Sequence, residues 1–282
     1  MKNMLIDFLN DYYQAELKSI HDVAGNQHLI GNSQVFHGAL FVKIFKEKDM
    51  FYAEQHVNQV YAPDVYLDSV IFEDNYVITL RNRHLREFDS QAINEHSAYE
   101  FGKLLGDFHK QLTGKVTVTT ADLPLSSQLK QQVARLQSSV YAEAAEASLA
   151  LLKSDLTAAD VEFEQLPKVV LHGDFSVRNI MHYHDRLILI DFERSHMGVS
   201  YQDFIKFFYN EVKSSRLRQK FLDGYETEYS FEIPSHALQR CLLLQCALDI
   251  CEYHLTHPKK KYGTMAQQML GTIKNNDAVL AL

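Results

Sequence analysis

A polar turn set between two short apolar runs constrains this chain more than any other feature. The runs are residues 168–171 and 187–190, both short enough and apolar enough to be buried strands. Between them stands His172-Gly173-Asp174-Phe175-Ser176-Val177-Arg178-Asn179-Ile180-Met181, and the second run closes on Asp191-Phe192-Glu193. Asp174 and Asn179 lie five residues apart, and Asp191 follows Asn179 by twelve. Phosphoryl transfer from a nucleotide needs such a set. One carboxylate takes or orients the proton of the attacking hydroxyl, while an amide and a second carboxylate hold Mg²⁺ against the phosphates. Asp and Asn are also ordinary turn residues. What separates this stretch from a plain turn is the order of the three polar groups and the strands on either side.

The pattern of the chain changes around that turn. Residues 3–14 read as a helix with Leu5, Phe8, Leu9 and Tyr12 on one face. Gly25, Gly31 and Gly38 then punctuate short extended runs, and residues 39–45 form a strong strand candidate. Residues 49–60 read as a helix stopped near Pro63, and residues 65–72 and 76–80 as a hairpin turned by Glu73-Asp74-Asn75. Beyond residue 90 helical periodicity dominates. Residues 94–112, 201–209, 216–228, 235–254 and 264–275 are helix candidates, and 126–152 reads as one long, interruptible helix. The expectation is a sheet-rich lobe over residues 1–82 and a helical lobe over residues 83–282.

Composition narrows the class. The 282 residues are 46% hydrophobic and 23% charged, which is globular and not disordered. A formal net charge of -8 disfavours nucleic acid as a partner. No apolar run is long enough to span a bilayer, and Asp7, Asp11 and Glu16 stand where a signal peptide would be basic and then apolar. Cys241, Cys246 and Cys251 occupy one helical segment, where steps of five spread them around the axis. They read as buried, reduced thiols, and a cytoplasmic location follows.

The ordered residues His172-Gly173-Asp174, Asn179 and Ile190-Asp191-Phe192-Glu193, followed by Gly198 and Asp203, resemble the aminoglycoside phosphotransferase and choline kinase superfamily. The resemblance implies an α+β, two-lobed protein-kinase-like fold, with a small antiparallel-sheet N-lobe that binds nucleotide. Its larger, mainly helical C-lobe would carry the catalytic and acceptor-binding parts. It implies ATP, with GTP as an option, together with Mg²⁺. Asp174 would be the catalytic base, Asn179 and Asp191 the metal ligands, and His172 and Asp203 structural supports. Lys43 would pair with the nucleotide phosphates and with Glu54 on the following helix. Lys43 also stands out by itself, because a charge inside an apolar strand needs a partner unless the strand is an exposed edge. Alternation places it with Phe41 and Phe45, opposite Val42 and Ile44, which fits either case.

Other features are less specific. Gly25 and Asn26 form a turn that suits phosphate-binding backbone amides or an ordinary hairpin equally. After the hairpin, Arg81-Asn82-Arg83-His84 replaces the glycine that the family often has there. Gln245, Asp249, Glu252 and Thr256 form one polar stripe on an otherwise apolar helix, which is either an acceptor-binding surface or a solvated face. Glu193 is a second acceptor-binding candidate, or a partner for Arg178 or Arg194. His182 and His184 read as turn histidines. The short segment 194–200 leaves no room for a regulated activation loop, so the expected acceptor is a small molecule bearing a hydroxyl, such as an aminoglycoside, amino sugar, glycated amine or amino alcohol. A catalytically silent nucleotide- or ligand-binding pseudokinase is the alternative. A metal-dependent hydrolase fits less well, for want of closely spaced ligands.

Overall fold

A computed structural model describes residues 2–23, 26–277 and 279–280. The chain divides into two compact units. The first comprises residues 1–88, 110–119 and 172–196, and the second residues 89–109, 120–171 and 197–282. The polar turn and the strands after it pack with the N-terminal sheet.

The first unit starts with helix α1 (Lys2–Tyr13) and continues into strands β1 (Lys18–Val23), β2 (Asn26–Ser33) and β3 (Gly38–Phe45). Helix α2 (Lys48–Tyr61) follows, then β4 (Tyr66–Phe72) and β5 (Asn75–Arg81). The five strands form one antiparallel sheet in the order β1-β2-β3-β5-β4. Period-two alternation gives the sheet two different faces. Leu40, Val42, Ile44 and Val77 join Leu5, Leu9 and Tyr13 of α1 in one apolar cluster. Phe45, Ile78 and Leu80 join Phe51 of α2 in another. Lys43 belongs to the second face, beside its register partner Ile78. It is buried, so the edge-strand reading fails. The hairpin turn uses Glu73 at φ 52°, in the left-handed region.

The same unit holds β6 (Arg86–Glu87), β8 (Ile180–Tyr183) and β9 (Arg186–Leu189), paired in the order β6-β8-β9. His184 lies in the β8–β9 turn at φ 53°, and His182 stacks on Phe88. In the segment after β5, Arg83 pairs with Asp64 and lies over the Tyr183 ring.

The second unit is mainly helical. It holds most of α3 (Glu95–Leu112), then α4 (Leu125–Arg135), α5 (Ala142–Leu151) and α6 (Leu156–Gln165). The expected long helix over 126–152 is thus two helices, broken by turns through Leu136 to Tyr141. Strand β7 (Val169–Leu171) pairs with β10 (His196–Gly198). Helices α7 (Tyr201–Asn210), α8 (Ser215–Glu226), α9 (His236–Thr256) and α10 (Lys260–Lys274) complete the chain. Phe101, Phe204, Phe207, Phe221 and Tyr225 form an aromatic core with edge-to-face and tilted contacts. Helix α9 buries residues on nearly all sides, including Cys241 and Cys251, and the three cysteines are free thiols. Burial pushes each thiol up to about 12. Among the described residues no helix is long and apolar enough to cross a membrane.

Candidate functional site

Five of the polar residues singled out above meet in the first unit. Lys43 reaches inward from β3, and its Nζ lies 2.6 Å from Asp191 Oδ1, 3.0 Å from Glu54 Oε1 and 3.6 Å from Glu193 Oε2. Three carboxylates thus surround one ammonium. Burial alone would lower the Lys43 pKa, but Asp191, Glu54 and Glu193 together raise it. The balance favours the charged ammonium.

The three carboxylates differ. Glu54 is fully enclosed, and its second oxygen accepts a 2.6 Å hydrogen bond from the Phe192 backbone N–H. One side chain of α2 so holds both the lysine of β3 and the backbone just after Asp191. Burial opposes the charge of Asp191, but the charge and hydrogen bond of Lys43 outweigh it and hold this carboxyl below its usual range. Asp191 remains 36% exposed at its side chain, and its backbone adopts φ 72°. A left-handed aspartate away from a simple turn costs about 1–3 kcal/mol and persists only where the surroundings fix it. Glu193 is raised, first by burial and then by the Asp191 and Glu54 charges, with Lys43 opposing. Its Oε2 also accepts a 3.2 Å hydrogen bond from Asn26 Nδ2. Asn26, proposed from the sequence for phosphate contact, is buried and directs its side chain to Glu193. Its neighbour Gly25 lies outside the described residues.

The turn from His172 to Asn179 is fixed from several sides. His172 is enclosed, with Nε2 3.1 Å from the Ile190 carbonyl and Nδ1 3.4 Å from the Asp174 backbone nitrogen. Since a backbone N–H can only donate, Nδ1 accepts and Nε2 carries the proton. Gly173 sits at φ 76°, and a Cβ there would lie 2.1 Å from the Arg194 carbonyl oxygen. Only glycine meets both conditions. Asp174 is buried, and Asn179 Nδ2 donates to its backbone oxygen at 2.9 Å. The Ile190 N–H donates to the Asn179 carbonyl at 3.1 Å, tying the turn to the residue before Asp191. Arg178 hydrogen-bonds Asp174 Oδ2. Sequence reasoning missed this contact, offering Arg178 only as a partner for Glu193. An i,i+4 spacing of opposite charges was the available signal, hidden because the turn is not an α-helix.

The donor set suits a hard divalent cation. With its NH₂ end anchored on Asp174, Asn179 has an amide oxygen to offer, and Asp191 has a carboxylate. Among the described residues no group of three or more His, Cys, Asp or Glu side chains could hold a metal ion. Two oxygen ligands from protein, completed by phosphates and water, match what Mg²⁺ takes.

The remaining candidates lie in the second unit. Asp203 on α7 is buried, with Oδ2 3.1 Å from His109 Nε2, and His109 Nδ1 lies 2.7 Å from the Tyr225 hydroxyl. The stripe on α9 is engaged by α4. Gln128, Gln132 and Arg135 meet Gln245, Asp249 and Glu252 at 2.9, 2.5 and 2.9 Å. The solvated-face reading is thus incomplete, since three stripe residues have cross-helix partners.

Comparison with solved structures shows the fold. Amicoumacin kinase hAmiN, in complex with AMP-PNP, Ca²⁺ and Ami, superposes with a TM-score of 0.70 at 13% identity, over 100% of this chain and 95% of that one. Choline kinase LicA from Streptococcus pneumoniae gives 0.70 at 14%, over 98% and 99%. A thermostable mutant of aminoglycoside phosphotransferase APH(4)-Ia, in a ternary complex with ADP and hygromycin B, gives 0.64 at 14%, over 96% and 98%. Comparison with curated protein sequences finds no match. The model of the phosphotransferase enzyme family matches residues 49–238, from the helix that carries Glu54 through the His172–Asn179 turn and Asp191 to the start of α9, and the chain belongs to that family.

Proposed function

We propose that this chain transfers the γ-phosphate of ATP, with Mg²⁺, to a hydroxyl of a small molecule. One observation carries the reading: a buried lysine sits among Glu54, Asp191 and Glu193, and Asn179 is tied by its backbone to the residue before Asp191. Three carboxylates on one ammonium leave an excess of negative charge that a divalent cation would offset. Asn179 and Asp191 would hold that cation on the phosphates, and Lys43 would turn from Asp191 toward them. Asp174 would orient the acceptor hydroxyl and take its proton as the new bond forms. Phe41, two residues before Lys43 on the same face, packs against His28 at 5.3 Å and offers an aromatic surface to a purine. Two of the solved structures named above hold AMP-PNP with Ca²⁺ and Ami, and ADP with hygromycin B, which supports nucleotide use and a small acceptor here.

The test is Mg²⁺-dependent ADP release from ATP, and GDP release from GTP, across aminoglycosides, amino sugars, glycated amines and amino alcohols. Release that requires acceptor and disappears in Asp174→Asn is the expected result. Full activity in that variant would remove Asp174 from the reaction. Nucleotide binding without turnover on any acceptor would favour a silent binding protein instead.

A further inference from the structure

Arg178 has no part in the reading above, yet it touches the residue at its centre. Its Nη2 hydrogen-bonds Asp174 Oδ2, and Asn179 Nδ2 approaches the same oxygen at 3.4 Å. Asp174 is 8% exposed at its side chain, whereas Arg178 is 56% exposed. An ion pair with one partner so open contributes little to folding. A cation held there by the turn itself is better explained by what happens at Asp174.

We propose that Arg178 belongs to the transfer site: it aims the Asp174 carboxylate and binds the phosphoryl group as that group passes to the acceptor. The inference rests on the phosphotransferase reading. In the step, the acceptor O–H bond breaks and its proton passes to the Asp174 carboxylate. The acceptor oxygen forms a bond to phosphorus. The bond from phosphorus to the leaving oxygen breaks, and its electron pair stays on the nucleoside diphosphate. Asp174, now protonated, no longer carries the charge that held Arg178. At that moment the phosphoryl oxygens are negative, and a guanidinium presents a planar fork that fits them. The counter-ion of Arg178 thus changes from carboxylate to phosphoryl as the reaction advances, and the guanidinium has only to turn, being largely outside the packed interior.

The experiment needs no acceptor. Isothermal calorimetry on the full chain would measure Mg²⁺–AMP-PNP, which probes the ground state, and Mg²⁺–ADP–aluminium fluoride, which imitates the flat phosphoryl group in transfer. In Arg178→Gln the fluoride complex should weaken by about tenfold or more, while AMP-PNP stays within about twofold. Arg178→Lys should recover part of the loss, since the charge remains and the fork does not. Thermal unfolding would establish that both variants are folded. Unchanged affinity for both probes in Arg178→Gln would overturn the assignment, and so would an equal loss of both. A wild type that binds neither probe would overturn the proposed function itself. A wild type that binds both, with Arg178→Gln unaffected, would overturn only the role of Arg178.

Discussion

The two units arrange their polar side chains differently. In the second, polar groups meet in matched sets. Gln128 faces Gln245, Gln132 faces Asp249, Arg135 faces Glu252, and His109 stands between Asp203 and Tyr225. In the first, one lysine faces three carboxylates, and one of those carboxylates sits on a left-handed backbone. A matched set is at rest and serves to register one helix on another. An unmatched set is a compromise, and on the proposed function it would shift when a divalent cation binds. The imbalance, more than the burial, is the ground for proposing the first unit as the place of chemistry.

This contrast can be broken by mutation at either end. The largest effect should come from Asp174→Asn, which should slow acceptor-dependent phosphoryl transfer by about 10²–10⁴-fold, read as initial rates of ADP release. Calorimetric affinity for Mg²⁺–AMP-PNP should barely change. Next is Lys43→Ala, which leaves buried carboxylates without their cation. Urea unfolding should show a loss of about 3–5 kcal/mol, and calorimetry should show nucleotide binding lost. A fold that tolerated this change would mean the carboxylates are not in excess.

In the second unit, Asp203→Ala should cost about 1–3 kcal/mol by the same unfolding measurement, because it deprives the enclosed His109 of a hydrogen-bond partner. Nucleotide affinity per folded molecule should stay the same, which sharpens the division between structural and reactive polarity. Smallest of all, Arg135→Ala removes a pair whose partners are 53% and 31% exposed. It should shift stability by no more than about 0.5 kcal/mol. A large loss there would show that the α4–α9 ladder is more than registration.

How far the sequence could be read depended on whether a residue's partner was near or far along the chain. The two-lobed expectation rested on periodicity, which is local, and the sheet followed from it. Lys43 drew notice because its strand neighbours are apolar, and Asp174, Asn179 and Asp191 because of their spacing. The α4–α9 ladder could not be foreseen, since its partners are 117 residues apart and nothing in either helix names the other. Helix α6 escaped for a different reason. LTAADVEFEQ buries only Ala159, so it has no apolar stripe to show. Residues 172–196 group with the N-terminal sheet, which chain order alone does not announce.

Glu54 gives the first unit a mechanical property. By grasping the Lys43 ammonium with one oxygen and the Phe192 amide with the other, it makes strand, helix and loop a single linkage. A displacement of the lysine would be felt, through Glu54, at the peptide beside Asp191. The amide proton of Phe192 should accordingly be among the slowest of its loop to exchange with deuterated solvent, and its exchange rate would report, as a gauge on one bond, whether the linkage is taut or released.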